Sequence, residues 1–112
     1  MMRLVFASFV IDRIMNYIEE IKNKLQEHFN FNEEYIGLLD VYTLLYFTHG
    51  INCRSIHVHD AWSVWQNNID PTHRSLVPFE DLTREVQELD DQYRDVIVDV
   101  YKVMNPDYNS LN

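Results

Sequence analysis

The chain has 112 residues, 46% of them hydrophobic, with 2 Trp, 7 Tyr and 6 Phe, enough apolar material for one core; this excludes both a two-domain protein and a wholly disordered one. Its formal charge of −9, from 18 acidic and 9 basic residues, repels phosphate backbones and argues against general nucleic-acid binding. A single cysteine, Cys53, excludes an internal disulfide and any Cys-x-x-Cys zinc or redox motif, which points to a reducing, cytoplasmic setting.

In chain order, the opening "MMRLVFASFVIDRI" carries an apolar run far short of the ~20 residues that span a bilayer, and no small-x-small cleavage site follows it. Neither export nor a membrane partner is expected. Residues 1–14 read as an extension or as the start of helix one, with Met15 as a second possible start. Ile11, Ile14, Ile18, Ile21 and Leu25 alternate spacings of three and four, one helical stripe, and predict a first helix over 10–28. Asn32 can cap a second helix over 33–48; Glu33 and Glu34 suit its positive end and Gly50 its stop. Being apolar on several faces, this helix is expected at the centre.

Ser55 is the candidate cap of a third helix over 56–67, on which Val58, Trp62 and Trp65 are spaced four and three. Asp70-Pro71 breaks it, because proline pushes the residue before it out of the α region. "HRSLVPFEDL", 73–82, then runs four apolar residues together around a proline, and is expected to be an ordered connector packed back onto the core, with a short helical turn at 79–82. Burial of Leu76, Val77 and Phe79, at roughly 1.5 to 3 kcal/mol each, would hold it there. Val86, Leu89, Tyr93, Val96, Ile97, Val100 and Tyr101 predict a fourth helix over 84–104. The expected fold is mainly α: one compact four-helix domain over 15–107 with at most short β additions from 49–56 and 74–78, then a tail at 108–112.

For chemistry, histidine is the first place to look. His57 and His59 are two apart, which sends them to different helix faces, and no pair has the spacing of a helical metal site. Cys53 with His57 is a lone spacing without a supporting third group, Asp90 and Asp91 point apart on a helix, and two glycines, Gly37 and Gly50, cannot make a phosphate loop. No enzyme, metal or cofactor is expected. What stands out is a local basic and aromatic cluster in an acidic chain: Arg54, His57, His59, His73 and Arg74 around Trp62 and Trp65. Guanidinium and imidazole groups donate to phosphate or carboxylate, and an indole face stacks on a ring, so the mixture suits a small anionic, nucleotide-like ligand; the same tryptophans also fit a plain core.

"VHDAW" (58–62), "HRSLVPFEDL" (73–82) and "QELD" (87–90) together resemble the ryanodine-receptor-type repeat domain. The resemblance spans roughly 56–104 and rests on Val58, His59, Trp62, His73, Leu76, Val77, Pro78, Phe79, Leu82 and Asp90. The family's Gly-Trp-x-Tyr-Gly segment is replaced here by "SVWQNNIDPT". The resemblance implies a helical domain whose connector packs on the helices with His73 beside Trp62, a non-enzymatic role in capturing a nucleotide-derived ligand, and the bacterial and phage setting of single-copy members, including a sponge against a signalling defence. Arg54, His59, Trp62, Trp65, His73, Arg74 and Phe79 are then the expected ligand residues.

A different reading assigns the function to the acidic end of the chain, where 80–107 holds nine acidic and three basic residues. There Asp90, Asp91, Asp95 and Asp99 would dock on a basic protein surface as an interaction or inhibitor module. A homodimer is also expected, with Leu4, Phe6, Phe9 or Tyr42 in its seam.

Overall fold

The computed structural model describes residues 15–107, and among them the fold is helical throughout, with no strand. The expectations for 1–14, including the first five residues of the predicted helix one and the seam residues Leu4, Phe6 and Phe9, and for the tail at 108–112, lie outside the described residues. Four helices follow one another: α1 (Tyr17–Phe29), α2 (Ile36–His49), α3 (Ser55–Ile69) and α4 (Arg84–Met104). Short 3-10 turns at Glu33–Tyr35, Gly50–Asn52 and Phe79–Asp81 punctuate the connections.

Each boundary has a local cause. Asn16 caps α1 by accepting from the Glu19 N–H at 2.9 Å, and Asn30 closes it in the left-handed conformation at φ 52°. α2 ends at Gly50, whose φ of 52° a side chain would resist, and where an added Cβ would stand 2.7 Å from the Tyr101 ring. Arg54, not Ser55, precedes α3 as its cap; the His57 side chain reaches back to accept the Arg54 N–H at 2.9 Å through Nδ1. Ser55 is instead buried and donates to Asp91 of α4. Thr83 caps α4 by accepting from the Val86 N–H.

α2 and α4 form the centre, each packed against both α1 and α3. Leu25, Tyr42, Val58 and Ile97 contribute one fully buried side chain from each helix. Lys22 and Asp40, 2.9 Å apart, tie α1 to α2 at the surface. Tyr42, expected in a dimer seam, is instead fully buried in the centre of the domain, because it sits on a helix buried on several faces.

The connector from Asp70 to Thr83 is ordered by hydrogen bonds more than by burial. Asp70 accepts from both the N–H and the hydroxyl of Thr72, the Leu76 N–H donates to the His73 carbonyl, and Gln87 of α4 donates to the Phe79 carbonyl at 3.0 Å. Leu76 and Phe79 are half-buried, but Val77 is 38% exposed, so its side chain does not hold the segment as expected. Its carbonyl does, by accepting from His59 Nε2 at 2.6 Å.

Candidate functional site

Between α2, α3, α4 and the connector lies a half-enclosed cavity of about 480 Å³, within the ~300 to 1,000 Å³ range of small-molecule sites. Its walls are largely aromatic, from Phe31, Tyr35, Tyr42, Trp62 and Tyr93, filled in by Leu38, Val86 and Leu89. Its polar lining is His59, His73, Ser75 and Asp90. Among the described residues neither lysine nor arginine lines it.

The sequence places these groups through specific local devices. Phe31 follows α1 and is clamped by Gln26, whose amide donates to the Phe31 carbonyl at 2.9 Å and accepts the Phe31 N–H at 3.0 Å. The clamp stacks Phe31 on Phe29, centroids 4.9 Å apart, and turns it toward Tyr42 and Tyr93. Trp65 packs against Gly37, where a Cβ would stand 2.9 Å from its indole nitrogen, and on Tyr35, so it backs the cavity wall without lining it. His73 accepts the Ser75 N–H through Nδ1 at 3.0 Å, which leaves Nε2 as the protonated nitrogen of the neutral ring. That ring stands edge-on to Trp62, centroids 5.1 Å apart and planes at 80°.

At the floor, His59 is 2% exposed and lies nearly parallel to Trp62. Since a carbonyl can only accept, the 2.6 Å bond to Val77 fixes the proton on Nε2. Nδ1 then faces Asp90 Oδ2 at 3.7 Å, too far for a direct hydrogen bond. Asp90 Oδ2 and Tyr42 Oη are buried without a hydrogen-bond partner. Burial raises the Asp90 carboxyl to about 6, opposed by His59 and reinforced by Asp91. Burial likewise pushes the Tyr42 phenol far above its ordinary range, with Asp90 adding to the shift.

Of the expected ligand residues, the structure brings His59, Trp62 and His73 together on one cavity. Phe79 touches it only through His59, at a centroid distance of 6.2 Å. Arg54 and Arg74 are exposed and contribute nothing to the lining, although Arg74 lies between two lining residues in the chain. Sequence reasoning missed Phe31, Tyr35, Tyr93 and above all Asp90. The last was legible: Val86, Asp90, Tyr93, Ile97 and Val100 step by four, three, four and three, which puts the carboxylate on the buried stripe of α4.

Asp90 therefore does not belong to an exposed acidic face, being 7% exposed. Asp91 is occupied by Ser55, Arg84 and Arg94, and Asp95 by Arg94 at 2.8 Å, which leaves Asp99 as the exposed member of the proposed docking set without an ion pair to Lys or Arg. Arg84 and Arg94 thus pair with Glu88, Asp91 and Asp95, while the helix keeps twice as many acidic as basic side chains. Cys53 is buried, and burial pushes its thiol up to about 11, the wrong direction for a nucleophile. His57 sits away from the cavity, stacked on His49 at 3.8 Å.

The chain belongs to a family described as a domain of unknown function, DUF7701, which matches residues 13–102. This overturns the resemblance to the ryanodine-receptor-type repeat domain. The residues that suggested it are accounted for locally: His59 anchors the connector, Trp62 and His73 meet edge to face, and Pro78 opens the turn before α4. With the resemblance go the phage setting and the anti-defence role it implied. No curated protein and no solved structure matches the chain. No described helix is long and apolar enough to cross a membrane.

Proposed function

We propose that the protein is a small-ligand-binding domain without catalytic activity, acting in the cytoplasm, and that its ligand occupies the aromatic cavity between α2, α3, α4 and the connector. The observation that carries this reading is the pairing of a cavity of about 480 Å³ with two buried polar atoms on its lining side chains, Asp90 Oδ2 and Tyr42 Oη, that have no hydrogen-bond partner among the described residues. Unpaired buried polar groups cost roughly 1 to 3 kcal/mol each, a cost that a ligand able to bond them would offset. Five aromatic rings supply walls for a flat or apolar body, and the polar atoms would fix its orientation.

The ligand differs in one respect from that expected of the basic cluster. Among the described residues the lining holds one carboxylate and no guanidinium or ammonium group, so a phosphate would enter the interior without a strong counter-charge. A nucleotide-derived molecule would enter with its base or sugar and leave its phosphate outside, where Arg74 is exposed.

Calorimetry and thermal shift against indole, adenosine, adenosine monophosphate and tyramine test the reading. At least one should bind saturably and raise Tm, since a ligand taken only by the native state stabilises it, and Trp62→Ala should abolish the effect. No heat and no shift with any of them would overturn ligand binding at this cavity.

A further inference from the structure

We infer that the cavity selects a ligand bearing a small organic cation, an ammonium group on an aromatic or apolar body, with the Asp90 carboxylate as its anchor. This rests on the ligand-binding reading above and adds the charge of the ligand to it.

Among the described lining residues Asp90 is the one acidic or basic side chain besides the histidines, and its side chain is 10% exposed. One of its oxygens has no hydrogen-bond partner. The histidine that faces it does not repair this. His59 commits its Nε2–H to the Val77 carbonyl, so Nδ1 of the neutral ring presents a lone pair toward Oδ2 across 3.7 Å. Two acceptors face one another, and a donor is needed between or beside them. An ammonium N–H supplies that donor together with the compensating charge. The surrounding rings of Phe31, Tyr35, Trp62 and Tyr93 present faces and edges of the kind that stabilise an organic cation over a neutral body of the same shape. Phosphate and carboxylate ligands meet the opposite field. Even where His59 and His73 are neutral donors, neither replaces the missing guanidinium.

Three probes share one phenol ring and differ in charge: tyramine, 4-ethylphenol and 4-hydroxyphenylacetate. Titrated into the full chain at pH 8, where Asp90 is ionised, tyramine should bind about tenfold or more tighter than 4-ethylphenol, and 4-hydroxyphenylacetate weakest. Asp90→Asn should erase the difference between tyramine and 4-ethylphenol while leaving 4-ethylphenol bound. A second measurement serves if that variant does not fold: the tyramine advantage of the native chain should vanish at pH 5. There Asp90 gains its proton, the phenols of Tyr35, Tyr42 and Tyr93 stay neutral, and any positive charge on His59 or His73 adds repulsion. Equal binding of tyramine and 4-ethylphenol at pH 8 would overturn the cation preference and leave ligand binding standing. Binding of indole or adenosine with none of the three bound would likewise overturn the cation preference alone; no binding by any of these probes or by adenosine monophosphate would overturn both.

Discussion

At the residue scale, His59 and Asp90 decide the character of the site. His59 ties the connector to α3 through Val77 and fills buried space beside Trp62, so its loss removes a hydrogen bond and packing at once. His59→Ala should cost roughly 3 kcal/mol in urea unfolding, because it strands the Val77 carbonyl and opens a void. Asp90 has the opposite sign. Its folded-state carboxyl, raised to about 6, lies above the ordinary 3.8, so between those values the folded state binds more protons than the unfolded one. The penalty of burying the charge is thus fully present above pH 6 and relieved as pH falls toward 4. Asp90→Asn should raise Tm relative to the native chain at pH 7, and the gap should shrink at pH 5; a gap that widens on acidification would show that the carboxylate is stabilised in place.

At the scale of elements, helix positions were readable because they rest on local rules. The fourth helix, predicted over 84–104, forms over Arg84–Met104, and the stop at Gly50 follows from its backbone. What escaped reading depends on contacts between elements. Ser55 looks like a cap but is spent on Asp91, and Val77 looks like core but works through its carbonyl. Gln26 looks like an ordinary surface residue of α1, yet it clamps Phe31 into the cavity wall. Gln26→Ala should lower stability by about 1 to 2 kcal/mol and weaken any cavity ligand, whereas an exposed glutamine would show neither effect. Gly50→Ala adds a strained dihedral to a clash with Tyr101 and should cost on the order of 2 to 4 kcal/mol by thermal or chemical unfolding.

For the molecule as a whole, the domain joins a strongly acidic surface to an interior that concentrates its rings around one cavity. Trp62 and His73 meet there although eleven positions separate them, because the connector folds back over α3. The return of 73–82 onto the core was expected from its apolar run, and His73 beside Trp62 only from the resemblance now overturned, whereas the charge of the lining was not expected at all: arginines close to the site in sequence lie on the surface, and an aspartate assigned to the surface lies inside. A local basic cluster in sequence is therefore a poor guide to the potential inside a cavity, where burial decides which charges matter.

The two tryptophans offer the most direct test of cavity binding, since Trp62 lines the cavity and Trp65 packs behind its wall. In a nitrogen-15-labelled sample, titration with tyramine should move the Trp62 indole N–H resonance progressively to saturation, with a smaller change at Trp65. An unmoved Trp62 at millimolar probe, or a shift confined to surface amides, would contradict the account.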